Sequence, residues 1–272
     1  MPGFLQPFGF IVLRVVTAGI LFTLCSLIFI RQKVDLKADL PKIILCAITG
    51  CGANMLLFFK GLSITTPING AILMACTPVF VAVFAAFLIR EKLSIIRYIG
   101  IGIACMGAIL LLGGMNFTFD TKNVWGDIAV AANAIIYSFY LVYAKPLLKK
   151  YHPITLSAYT FGIGFLFVLP FGWSDLQHTN FSVIPNEIWG YIIFILIGAT
   201  FITYLLNAYA LSKASAATVG SYIYLQPVLA ILIAIAKNTD TISFEKVAYM
   251  LIIFSGVYMV SYKPKEIASV NS

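Results

Sequence analysis

The stretch NGAILMACTPVFVAVFAAFLIR, residues 69–90, decides the fold. It is apolar over the length an α-helix needs to cross about 30 Å of hydrocarbon, and it carries one proline, Pro78, near its middle. In lipid such a break is tolerated only where neighbouring helices or a water-filled cavity satisfy the freed backbone groups. Pro78 therefore points to an interior site. A second proline-broken span surrounds Pro227, and the two are related by a repeat. Shifted by 149 positions, residues 61–112 lie over 210–261 without a gap, matching Leu62 to Leu211, Ser63 to Ser212, Pro78 to Pro227, Ser94 to Ser243 and Gly107 to Gly256. Paired interrupted helices in two halves of a membrane protein mark a transporter's binding site.

Composition agrees. With 61% hydrophobic and 10% charged residues and a mean hydropathy of +0.99, the chain has well under half the charge of a soluble globule. Its apolar runs are continuous rather than alternating, which excludes a β-barrel. The reading is an all-α polytopic membrane protein. The formal charge of +8 sits between spans, as positive flanking requires, so no nucleic-acid partner is expected. All five cysteines lie inside apolar segments and read as small buried hydrophobes. Neither a cofactor nor a metal is expected, and the first span reads as retained rather than cleaved, because residues 1–7 carry no Lys or Arg.

Nine spans are predicted, at 8–30, 41–59, 67–89, 94–113, 124–144, 154–171, 188–210, 214–236 and 247–262. Thirteen Lys and Arg residues fall on one side: Arg31, Lys33, Lys37, Lys42, Arg90, Lys92, Arg97, Lys145, Lys149, Lys150, Lys213, Lys263 and Lys265. Four fall on the other: Lys60, Lys122, Lys237 and Lys246. The richer side is expected to be cytoplasmic in the plasma (inner) membrane, with the N-terminus outside and the C-terminus inside. Trp125, Trp173 and Trp189 fall at the outer ends as interfacial anchors. Two domains follow, a first repeat of four helices over residues 1–118 and a second of five over 119–272. Pro153, before the sixth span, corresponds to Pro7 before the first. The fifth span then has no mate, and the pattern implies five plus five helices with the first absent from this chain.

Several residues carry a resemblance: Arg14 after Phe10-Ile11-Val12-Leu13, the run 71–80 with its Thr77-Pro78 pair, Arg90 to Ser94 (REKLS), and Gly100 to Gly107. Their order and spacing, with the duplication, resemble the drug/metabolite transporter superfamily, EamA type, over essentially the whole chain. The resemblance implies ten helices in an inverted repeat, a central cavity open to alternate sides, and export of amino acids, other metabolites or drugs. Asn238-Thr239-Asp240-Thr241 stands where the family usually has an acidic GE element.

Polar groups inside spans are expensive and therefore informative. Asn69, Leu73 and Thr77 share a face of the third span, and their mates Thr218, Tyr222 and Gln226 share one of the eighth. Asn133, Tyr137 and Tyr140 share a face of the fifth, Thr200, Tyr204 and Asn207 one of the seventh, and Asn54 lies in the second. Converging, they would line a cavity for an amphipathic or aromatic solute; the alternative is interhelical glue. Arg14 either meets a substrate carboxylate or a helix C-terminus, or snorkels to the outer interface about two turns away. Asp127, in the first turn of its helix, reads as structural. No carboxylate or histidine sits mid-membrane, so facilitated diffusion or exchange is expected rather than proton antiport. Ridges of small residues, Gly100-Ala104-Ala108, Ala71-Ala75 and Ala82-Ala86, suit packing within the bundle, with a homodimer as the sharper alternative. Two rival functions remain: a membrane enzyme, disfavoured because no catalytic or metal-spaced cluster occurs, and an inactive or partner-dependent truncated permease.

Overall fold

The computed structural model describes residues 4–91, 93–111, 124–236 and 243–261. Every element described is helical. Seven helices are long and apolar enough to cross a membrane: α1 Pro7–Ile30, α2 Leu36–Leu62, α3 Asn69–Leu88, α5 Val124–Lys150, α6 Pro153–Gln177, α7 Asn186–Lys213 and α8 Ala216–Ile233. Two shorter apolar helices, α4 Ile95–Leu111 and α9 Phe244–Ser261, occupy the fourth and ninth expected positions. The junction between the halves (112–123), Lys92, Lys122, Lys237, the 238–241 segment, Lys263 and Lys265 lie outside the described residues.

Local chemistry explains where the broken helices start. Thr66 caps the segment leading into α3, its hydroxyl accepting from the Asn69 amide at 3.2 Å, and Pro67 follows at the first helical position. The repeat mate of Thr66 is Ser215, which caps α8 by accepting from the Thr218 amide at 3.1 Å. One cap, repeated, aligns both interrupted helices. The first breaks at Cys76, between Pro67–Ala75 and Thr77–Leu88. The second tightens to a 3₁₀ turn at Tyr222–Tyr224 before Pro227.

Three helices outrun their expected ends. The fifth continues through Pro146 to Lys150, the sixth through Pro170 to Gln177, and the second begins at Leu36, where Asp35 accepts from the Ala38 amide. Apolarity marks where the hydrocarbon stops, not where the helix does. Lys149 and Lys150 in the last turn of α5 favour the negative end of its dipole. A π-type turn ends α1 at Ser26–Ile30, and π-type segments interrupt α2 at Ile48–Gly52 and α7 at Ile195–Ile202.

Repeat mates pack on each other. Helix α1 lies along α6 and α4 along α9, so these two pairings flank the internal pseudo-symmetry axis. Both crossings are close because a side chain is missing at the contact. A Cβ on Gly256 would stand 2.5 Å from the Ala104 amide nitrogen, and one on Gly172 would stand 2.4 Å from the Phe8 carbonyl oxygen. The Gly100-Ala104 ridge is thus used within the bundle, against α9. Beside the α1–α6 seam, Phe22 is fully buried between Phe161 and Phe201, with ring centroids 5.3 and 4.7 Å away.

Candidate functional site

The two breaks face a cavity of about 970 Å³ between the halves. Of the residues expected to line it, Arg14, Asn54, Asn133, Tyr137, Tyr204 and Asn207 do so, as do Tyr222, Gln226 and Pro227. Asn69, Leu73, Thr77, Tyr140 and Thr200 do not. Asn69 is buried against α5, where its amide nitrogen lies 3.3 Å from both Asp127 carboxylate oxygens. Thr77 is also buried against α5, its carbonyl accepting from the Ser138 hydroxyl at 3.0 Å. Tyr140 stacks on Tyr137 at 6.1 Å and lies over the bare Cα of Gly50. Pro78 is buried behind the wall, while Met74 and Ala75 on the preceding turn reach the cavity.

On α3, Asn69 and Thr77 thus meet α5, whereas Gly70, Ala71 and Met74 line the cavity. The repeat explains why the two halves differ. Helix α5 touches Gly61, holds Thr65 and Asn69 through Asp127, and holds Thr77 through Ser138. The mates of those four residues are Ala210, Ala214, Thr218 and Gln226, and all four line the cavity. Among the described residues, no helix stands against the second half as α5 stands against the first.

Arg14 does not snorkel. Its Nε donates to the Thr200 hydroxyl at 2.8 Å, and its guanidinium carbon lies 5.2 Å from the centre of the Phe59 ring. The π turn of α7 presents Thr200, whose hydroxyl reaches back five residues to the Ile195 carbonyl at 2.8 Å. Neutral polar groups order the rest of the wall. The Asn133 amide donates to the Asn54 carbonyl at 2.7 Å, and the Asn207 amide donates to the Tyr137 hydroxyl. The amide oxygens of Asn133 and Asn207 are buried without a partner among the described residues. Aromatic faces complete the lining: Phe58, Phe59, Tyr204 and Tyr222.

A second polar cluster, which sequence reasoning missed, closes the basic end. Asp39, buried at the start of α2, accepts from Lys150 at the end of α5, from the Tyr151 hydroxyl at 2.6 Å and from Lys42 at 3.1 Å. Lys150 and Tyr151, and to a lesser degree Lys42, hold the Asp39 carboxyl well below the usual carboxylate range; Asp39 in return holds the Lys150 ammonium above the usual lysine range. Lys145, one turn before, donates to the Leu211 carbonyl at 3.2 Å and to the Ala214 carbonyl, tying α5 to the turn between α7 and α8. The signal was available: an acid in the first turn of α2 with the lysines of the α5–α6 junction. Pairing it required the tertiary fold.

The chain matches the family model described as the EamA-like transporter family over residues 1–113 and 124–262. It is 26% identical to the uncharacterized transporter YyaM of Bacillus subtilis, covering 86% of this chain and 80% of that protein, and 25% identical to an uncharacterized transporter of Archaeoglobus fulgidus, covering 96% and 90%. A probable terminal-alkyne amino-acid exporter of Streptantibioticus cattleyicolor is 26% identical over 72% of this chain and 64% of that protein. A solved crystal structure superposes with a TM-score of 0.77 at 20% identity, covering 94% of this chain and 87% of that one.

Proposed function

The chain belongs to the EamA-like transporter family, and on that premise we propose that it moves small metabolites, amino acids or amphipathic drug-like solutes among them, outward across the plasma membrane by alternating access around the cavity. It is a membrane transporter, and we assign it transport rather than chemical conversion. The observation carrying this reading is the cavity at the two helix breaks, with aromatic walls and a few neutral hydrogen-bonding groups, which is the lining such solutes require. The relative named as an amino-acid exporter favours the outward direction and the amino-acid class. Arg14, Asn54, Asn133, Tyr137, Tyr204, Asn207, Tyr222 and Gln226 are proposed to meet the solute. Asn69, Thr77 and Tyr140 are proposed to hold the wall from behind. The repeats over 1–118 and 119–272 would rock about the α1–α6 and α4–α9 seams, with the basic end in the cytoplasm.

The test is ligand stabilisation of the purified protein by amino acids, polyamines and aromatic metabolites, followed by Gln226→Ala and Tyr222→Ala. A stabilising solute should lose most of its effect in both variants; stabilisation that survives both means the pocket is elsewhere. Flux from liposomes with the proton gradient collapsed should persist, because no carboxylate lines the cavity among the described residues. A second reading, activity that depends on a partner helix, is favoured by the uncovered Ala210, Ala214, Thr218 and Gln226. Liposomes holding this chain alone separate the two by whether flux occurs.

A further inference from the structure

We infer that the solute carried by this cavity is an organic anion whose carboxylate seats on the Arg14 guanidinium while its apolar body lies against Phe59, Tyr204 and Tyr222. The inference rests on the transport reading and narrows it. Arg14 brings a permanent positive charge into a wall otherwise built of aromatic rings, aliphatic side chains and neutral polar groups. Among the described residues no carboxylate lies within ion-pair distance of it, the ion pairs found there both being made by Asp39. Its contacts fix it without neutralising it. The Thr200 hydroxyl takes the Nε hydrogen at 2.8 Å, and the Phe59 ring, 5.2 Å from the guanidinium carbon, supports one face. Among the described residues the hydrogen bond Arg14 makes is the one from Nε, which leaves its two terminal nitrogens to a ligand. Those two nitrogens are the pair that a carboxylate engages through parallel N–H···O bonds.

The charge pattern around them sharpens the class. With one cation and no anion in the described lining, an amine lacking an acid group meets repulsion, and a neutral amide loses the charge-assisted pair of bonds. The Asn133 and Asn207 side chains, which line the cavity, offer hydrogen-bonding groups to an ammonium or hydroxyl elsewhere on the same solute.

Three probes of one shape and different charge test this: hydrocinnamate, hydrocinnamide and phenylpropylamine, with binding measured to the purified full chain. The carboxylate is expected to bind at least about tenfold more tightly than either analogue, the usual worth of hydrogen bonds to a charged group. Arg14→Gln should erase that preference, and Arg14→Lys, which keeps the charge but loses the fork, should restore part of it. Circular dichroism and gel filtration show whether each variant is folded. Thr200→Val leaves the charge in place and should weaken the carboxylate several-fold, so the idea stays testable if Arg14→Gln does not fold. Equal binding of the three probes, or a carboxylate preference that persists in folded Arg14→Gln, overturns the inference. Counterflow in liposomes separates it from its premise. Transport of neutral or cationic solutes with inert carboxylates sinks the anion reading alone, whereas no counterflow for any charge class sinks both.

Discussion

At the scale of single residues, the site is a set of groups held in place by neighbours that the solute never meets. A charged side chain inside a span is costly, and Arg14, about two turns into α1, offsets part of that cost with the Thr200 hydroxyl and the Phe59 face. Asp127 is the corresponding anchor outside the cavity, buried and held by the Thr65 hydroxyl and the Asn69 amide. Asp127→Ala strands both donors, so it should destabilise the fold by roughly 1–3 kcal/mol, read as a lower thermal midpoint, while leaving ligand selectivity unchanged. The sequence made the polar residues conspicuous, because Asn, Tyr and Arg are rare in lipid-facing runs. It could not say which partner each would find. Asn69 and Thr77 share a face with period 3.6, as expected, but periodicity carries no information about whether that face meets a helix or a hollow. Asn207 and Gln226 met the hollow.

At the scale of elements, the helices were legible from length and hydropathy, and both breaks from their prolines and the repeated Thr66 and Ser215 caps. Ends were not, since α5 and α6 continue past their apolar runs on lysine and polar turns. The π turns have no compositional signature, yet the one in α7 aims Thr200 at Arg14. Close crossings give a sharper prediction. A side chain on Gly256 would meet the Ala104 backbone at 2.5 Å, and the backbone of a packed helix cannot step aside as a side-chain tip can. Gly256→Val should therefore cost about 1–3 kcal/mol or more, seen as a lower thermal midpoint and early aggregation in gel filtration, whereas Gly102→Ala, where the space is open, should be neutral.

At the scale of the whole molecule, the duplication and the near-continuous apolar spans made a two-half membrane bundle readable before any coordinates. The asymmetry between the halves was readable only as an unmatched fifth span; that its counterpart surface becomes cavity wall needed three dimensions. The Asp39 cluster spans both halves, linking α2 to the α5–α6 junction, and its acidity predicts a pH response. A carboxyl held below its ordinary range contributes stability in full above about pH 4, and that contribution fades as pH falls through the lowered value. Thermal midpoints of the purified protein should drop below about pH 4, and Asp39→Asn should lack that component while starting from a lower midpoint at neutral pH. The same clasp bears on speed. If the two halves rock, the contacts of Asp39 with Lys150 and Tyr151 must part each time the basic end opens, which makes them a brake on the cycle as well as a support for the resting shape. Asp39→Asn should then turn over faster while melting sooner, a trade of endurance for pace built into one carboxylate.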